Sequence, residues 1–211
     1  DELDVDYFVL DLEDSVSESN KNLAFKNVMD NDFNKQTFFR IPFLDSCYSN
    51  KELEKLSLKS NGKIILPKVN EISDIESIYA ILKNVKNLQL ILLIETPRLY
   101  IELKEVLTKF SKDIIAIGFG SHDFTSMTGI KHDLEHLKHF KLELNVIAKA
   151  FNKTFIDGVD VNIRNLKYFI RECQFAYNIG AEGKFMIHPN QIYAEKKVKY
   201  LTDEKLVKYK A

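Results

Sequence analysis

Residues 88 to 120 read LQLILLIETPRLYIELKEVLTKFSKDIIAIGFG. Two nearly continuous apolar runs, Leu88–Glu95 and Ile114–Phe119, flank a longer amphipathic stretch. A strand with one wet face alternates apolar and polar side chains. A strand buried on both faces, as in a parallel sheet, does not. The segment therefore reads as strand, helix, strand in a parallel βαβ unit. The same alternation extends outward in both directions, with apolar runs at Tyr7–Leu12 (YFVLDL), Thr37–Ile41 (TFFRI), Lys63–Pro67 (KIILP), Phe155–Val161 (FIDGVDV) and Lys184–Ile187 (KFMI). The stretches between them suit helices: Ile72, Ile75, Ile78, Tyr79 and Leu82 share one stripe.

Each run closes near a polar residue: Asp11, Arg40, Lys68, Glu95, Asp123, Asp160 and His188. These fall about 28 positions apart, close to the roughly 30 residues of one unit in an eight-fold barrel, apart from a longer interval between Asp123 and Asp160. Seven units fit, and an eighth is missing. A doubly wound open sheet also alternates strand and helix. The even pitch and the polar residues at the carboxyl ends of the strands, where barrel active sites assemble, favour the barrel. The expected fold is thus α/β, a (β/α)8-type barrel forming one domain over residues 1–211. The long interval is read as an extended loop around KHDLEHLKHF (131–140) before a helix at Leu142–Phe151, and the tail Gln191–Ala211 as lysine-rich helix.

Lys+Arg 30 against Asp+Glu 31 gives a net charge of -1, so no polycationic surface invites nucleic acid or anionic membrane. No apolar run approaches the roughly 20 residues of a membrane helix, and no secretory leader is visible. Cys47 and Cys173 lack metal-ligand spacing and suit reduced, partly buried thiols or a single disulfide. A cytoplasmic protein is the expectation.

Four features carry chemistry. LDLEDSV places Asp11, Glu13 and Asp14 at a strand end, where three carboxylates need a cation or an arginine beside them; acids also favour helix starts for dipole reasons alone. Arg40, amid an apolar strand, must be paired or stand at the barrel mouth, and its planar fork suits a substrate carboxylate or a structural acid. Glu95 and Asp123 close successive strands, which lie about 4.8 Å apart, so both carboxylates can reach one hard cation. Magnesium fits this pair better than zinc, which prefers His or Cys. IHPNQ with His188, and Lys68 in LPKV, occupy two further strand ends. Each suits ligand contact, or else a turn at His188 and an ion pair at Lys68. His132, His136 and His139 have helical spacing without a third ligand pattern, which suits a solvated helix face.

The segments VLDLEDSV, FRI, IILPKV, LILLIETPR, IAIGFGSHDF, IDGVDVNIRN and GKFMIHPNQI, in order and spacing, resemble the HpcH/HpaI aldolase and citrate lyase β-subunit superfamily, over about residues 5 to 195. The resemblance implies a TIM barrel, trimeric or hexameric, with Mg²⁺ held by Glu95 and Asp123. It implies that Arg40 contacts substrate and steadies an enolate, that Asp11 and Asp14 lie near the metal's water and the arginine, and that Lys68 and His188 stand at the mouth as cofactor-binding positions. The implied reaction is cleavage of a 3-hydroxyacyl thioester, carried on coenzyme A or an acyl carrier protein. Its products are an acyl thioester and a 2-oxo acid such as oxaloacetate. An aldolase acting on free 2-oxo acids, or a catalytically impaired barrel serving as a subunit or scaffold, are the alternative readings. The family's usual first strand, of the type RSxLFVPG, and its C-terminal extension have no counterpart here. Pro42 stands where the family often has Asn, and His122 where it often has an acid.

Overall fold

A computed structural model of the chain describes residues 3–44 and 47–198. Seven strands, β1 (Phe8–Asp11), β2 (Thr37–Arg40), β3 (Lys63–Leu66), β4 (Gln89–Ile94), β5 (Ile114–Phe119), β6 (Thr154–Asp157) and β7 (Gly183–Lys184), pair in sequence order, every pair parallel. Seven α-helices lie between these strands, α1 (Lys21–Asp30), α2 (Asn50–Lys59), α3 (Ile72–Leu82), α4 (Pro97–Lys109), α5 (Ser121–Thr128), α6 (Leu134–Ala150) and α7 (Leu166–Asn178), and a further helical stretch, 189–198, follows β7 among the described residues. A doubly wound sheet reverses its strand order at a switch point. This one never does among the described residues, which makes it the curled seven-stranded sheet of a (β/α) barrel, with β1 and β7 as its edges.

The two-residue period of the strands divides the interior into two layers. Phe39, Ile64, Leu66, Leu90, Leu92, Ile94, Ile117 and Phe119 face the helices and join Leu53, Ile75, Leu99 and Leu103 in the larger core. Phe38, Ile65, Ile91, Leu93 and Ala116 point the other way and pack with Ile156 and Phe185 inside the curl. Both faces are therefore buried, which is why the runs are continuous rather than alternating. Each such side chain contributes roughly 1.5–3 kcal/mol on burial.

Several expectations need correction. Residues 131–140 do not form an extended loop: α6 starts at Leu134, because Asp133 caps it by accepting from the His136 N–H at 3.0 Å, and because Leu134, Leu137, Lys141 and Leu144 already form its buried stripe. The short helix α5, directly after β5, had no separate signal. β6 ends at Asp157 rather than Val161. Gly158 there passes so near β5 that a Cβ would lie 2.3 Å from the Phe119 carbonyl oxygen, and the chain turns away. β7 is shorter than the expected Lys184–Ile187. Both cysteines are free, Cys173 buried and Cys47 exposed, so the disulfide is not formed and only one thiol is covered. The expected tail helix is present from residue 189 to 198; the remainder, 199–211, lies outside the described residues. No described helix is long and apolar enough to cross a membrane.

A buried ionic quartet ties the last two strands to their helices. Lys141 of α6 meets Asp157 at 2.9 Å and Glu172 of α7 at 3.3 Å, while Lys184 of β7 meets Asp157 at 2.8 Å and Glu172 at 3.5 Å. Two cations and two anions balance there, and no side chain among them is more than 5% exposed. Burial alone would raise the Asp157 carboxyl, but Lys184 and Lys141 more than reverse it, so its pKa ends below the ordinary value.

Candidate metal and substrate site

Strand parity carries the site chemistry to the inner face. Arg40 follows Phe38 by two residues, and Glu95 follows Leu93, so both continue the inner layer past the strand ends. Asp11 and Arg40 are register partners on β1 and β2. Their side chains form a two-pronged pair: Arg40 Nε donates to Asp11 Oδ1 at 2.7 Å, and Nη2 to Oδ2 at 2.5 Å. Asp11 also shapes the loop beyond it, accepting from the Glu13 N–H at 3.0 Å, the Ser15 N–H at 3.1 Å and the Ser15 hydroxyl. Burial would raise its carboxyl, but the Arg40, Ser15 and Glu13 donors outweigh it and hold the pKa at about 2.

Glu13 is the hub of the cluster, and the sequence had marked it only as one acid of three. It is 5% exposed, and its carboxylate lies 3.0 Å from Arg40 Nη1 and 2.5 Å from Lys68 Nζ. Exposed Asp14 joins both cations more loosely, 3.5 Å from Arg40 and 3.0 Å from Lys68. Beneath the loop, buried Lys21 donates to the Leu12 and Glu13 carbonyls at 2.9 and 2.8 Å. That support was not foreseen. Lys21 opens a helix of low amphipathicity, and nothing in its spacing separates it from surface lysines.

Glu95 leaves β4 just before Thr96. Thr96 caps α4 by accepting from the Leu99 N–H at 3.2 Å and anchors to the Val69 carbonyl at 3.1 Å. Glu95 is buried, and its Oε2 accepts from the Lys68 main-chain N–H at 2.7 Å. Burial pushes its carboxyl up to about 7, and the like charges of Asp123 and Glu13 add to the rise. Asp123 lies in the first turn of α5, half-buried, and among the described residues it has no hydrogen bond or ion pair. The two acid-bearing loops are in contact. At Gly120, whose N–H donates to the Ile94 carbonyl at 3.0 Å, a Cβ would fall 2.1 Å from Glu95 Cγ, so only glycine fits.

The remaining candidates divide. Lys68 belongs to the site by both its main chain and its ammonium. His188 makes local bonds: its Nδ1 accepts from the Asn190 N–H at 3.1 Å and its carbonyl from the Gln191 N–H at 2.9 Å, so it starts the helical stretch after β7. Asp160 is buried and also turns inward on its own loop, accepting from the Asn162 N–H at 2.8 Å. The histidine expectation holds for exposed His136 and His139. It does not hold for His132, which lies outside α6 and stacks on His122, with ring centroids 3.9 Å apart.

Asp11, Glu13, Asp14 and Glu95 thus lie around Arg40 and Lys68, with Asp123 beside Glu95. Even with Lys21 counted, acids outnumber cations. Among the described residues no three His, Cys, Asp or Glu are arranged as a metal cage. Magnesium does not need one: it keeps several waters and takes one or two protein carboxylates. Glu95 and Asp123 fit that habit, because their mutual repulsion is what a shared dication relieves.

The family model for HpcH/HpaI aldolase/citrate lyase matches residues 2–189. Mitochondrial citramalyl-CoA lyase of Homo sapiens is 29% identical over 214 aligned residues, covering 90% of this chain and 63% of that protein. A (3S)-malyl-CoA thioesterase of Cereibacter sphaeroides is 25% identical over 197, covering 90% and 67%. The chain thus spans about 63% of the length of citramalyl-CoA lyase. Among solved structures, the Mycobacterium tuberculosis citrate lyase beta subunit complexed with oxaloacetate and magnesium superposes with a TM-score of 0.76 at 23% identity, covering 92% of this chain and 86% of that one. RipC from Yersinia pestis superposes at 0.78 with 21% identity, covering 92% and 88%. With its sequential parallel barrel and its match over nearly the whole described length, the chain belongs to the HpcH/HpaI aldolase/citrate lyase family.

Proposed function

We propose that this chain is a magnesium-dependent carbon–carbon lyase. Its substrate is a 3-hydroxyacyl thioester, cleaved to an acyl thioester and a 2-oxo acid. The observation that carries the reading is the Glu95–Asp123 pair: two carboxylates from adjacent strand ends, one of them raised to about 7 by burial and by the other's charge, with no protein cation between them among the described residues. Relatives named as acyl-CoA lyases and thioesterases, and a structural neighbour named with oxaloacetate and magnesium, support the same chemistry.

Bound between Glu95 and Asp123, magnesium would supply Lewis-acid polarisation of the hydroxyl and carboxylate oxygens of the acid portion. The chain supplies the rest. Asp11 grips Arg40 with both oxygens and so fixes the guanidinium at the inner mouth. Loss of the hydroxyl proton lets the carbon–carbon bond break, and its electron pair moves to the thioester as an enolate, which then takes a proton. Arg40, held in place by Asp11, would be the fixed positive charge offered to that enolate, and such preoriented charge is worth several kcal/mol at a developing anion. The long Asp14 contact at 3.5 Å is the one Arg40 most readily exchanges for substrate. Glu13 holds the Arg40 guanidinium at 3.0 Å and the Lys68 ammonium at 2.5 Å. Lys68, on exchanging its exposed Asp14 partner, and His188 are assigned to the polar parts of the carrier, coenzyme A or an acyl carrier protein. A trimer or hexamer is the assembly expected of the resemblance.

The test is incubation of the protein and Mg²⁺ with citryl-, malyl- and citramalyl-CoA, reading 2-oxo acid and free acetyl-CoA. At least one substrate should yield oxaloacetate, glyoxylate or pyruvate in step with acetyl-CoA. Cleavage only of free 4-hydroxy-2-oxo acids would replace this reading with an aldolase.

A further inference from the structure

Asp123 depends on the first turn of α5, and that turn starts without the usual side-chain cap. Ser, Thr, Asp or Asn at the first position ordinarily accepts an otherwise unpaired N–H. Gly120 occupies it here, and Glu95 leaves no room for anything larger. The helix is also short, ending at Gly129 with φ 72°. A two-turn helix whose first position carries no side chain draws little of its positioning from its own N-terminus.

The loop from Gly129 to Asp133 makes up the difference. His132 reaches back so that its Nε2 lies 2.9 Å from Ser121 Oγ, and its ring lies on that of His122, with planes 15° apart. Ser121 and His122 are the two residues before Asp123. Thr125 adds a bond from its hydroxyl to the His122 carbonyl at 3.0 Å. Burial, and then the His122 ring, lower the proton affinity of His132. A neutral ring suits a close face-to-face stack, which two imidazolium cations would drive apart.

We propose that His132 is a positioning residue for Asp123, fixing the first turn of α5 through a hydrogen bond to the Ser121 side chain and a stack on His122. It holds the first turn of α5 from outside the metal pair and touches neither acid's ligand atoms. The proposal rests on the reading of Asp123 as a magnesium ligand.

Calorimetric Mg²⁺ titration of the full chain tests it, with thermal melts run alongside. His132→Ala should weaken the ion about tenfold, in the range found when partners behind a metal ligand are removed. His132→Phe, which keeps a stacked ring but loses the hydrogen bond, should fall between Ala and the parent. His132→Gln, which restores a polar atom near Nε2, should recover part of the loss. Ser121→Ala removes the hydrogen bond without touching the rings and carries the test should His132→Ala not fold; a weakening of several-fold is expected there. Exposed His136→Ala should bind as the parent does. A merely structural role would lower the melting temperature of the His132 variants without ordering their affinities this way. Parent-like affinity in both His132→Ala and Ser121→Ala overturns the inference and leaves the metal reading standing. A parent that binds no Mg²⁺ overturns both.

Discussion

The main-chain N–H of Lys68 donates to Oε2 of Glu95 across 2.7 Å, from a residue whose φ is 54°. One left-handed residue does two tasks: it turns its N–H toward the buried Glu95 carboxylate and sends its ammonium to Glu13 and Asp14. A side chain in this region costs roughly 1 kcal/mol or more that glycine avoids. Lys68→Gly and Lys68→Ala both lose the ammonium, but only alanine retains the strain. In urea melts Lys68→Gly should be about 1 kcal/mol more stable than Lys68→Ala. Equal stabilities would mean that the conformation is not held in solution.

Glu95 should destabilise the metal-free protein at neutral pH. Its folded carboxyl titrates at about 7, above the ordinary 4.5, so between these values the folded state binds more protons than the unfolded one and stability falls as pH rises. Glu95→Gln removes that penalty while keeping an acceptor for Lys68. Without metal, the variant should be about 1–3 kcal/mol more stable than the parent at pH 8 and nearly equal to it at pH 4, read from denaturant melts. A parent whose stability does not fall between pH 4.5 and 7 would contradict the burial of this charge.

Arg40→Met should separate catalysis from metal binding. It removes the positive charge assigned to the enolate, so kcat should fall by about 10²-fold or more. The same change makes the mouth more anionic, so Mg²⁺ should bind at least as tightly as in the parent. Unchanged turnover, or lost metal affinity, would show that Arg40 serves only to hold Asp11 in place.

The quartet gives a prediction away from the site. Lys141→Met leaves Asp157 and Glu172, both buried, sharing Lys184 alone. Removing one partner from such a group costs about 3–5 kcal/mol, because the residual charge stays desolvated. Urea unfolding should show this loss. A change under about 1 kcal/mol would mean that water reaches the cluster.

Periodicity made the barrel legible. Strands buried on both faces leave continuous apolar runs, and their even pitch leaves little room for another topology. Glu95 and Asp123 stood out for a related reason: a charged residue closing a run such as LILLIE has no apolar explanation. What escaped notice was whatever depends on side chains reaching backward or across. Glu13 follows Asp11 by two residues, so extending the strand parity through LDLED would have placed it on the inner face beside Arg40. Lys141 and Asn145 lie four residues apart on the buried stripe of α6, and the helix expected from Leu142 left Lys141 outside it. His132 gave no such sign. Its spacing with His136 and His139 mimicked a helix face, and only the Asp133 cap, where α6 begins, separates it from them.

The most direct measurement is a crystal of the protein soaked with Mg²⁺ and oxaloacetate. The account predicts a single ion with one oxygen each from Glu95 and Asp123 at about 2.1 Å, its remaining positions filled by the oxo acid and water. An ion bound elsewhere, or the two carboxylates too far apart to reach a common one, would contradict it.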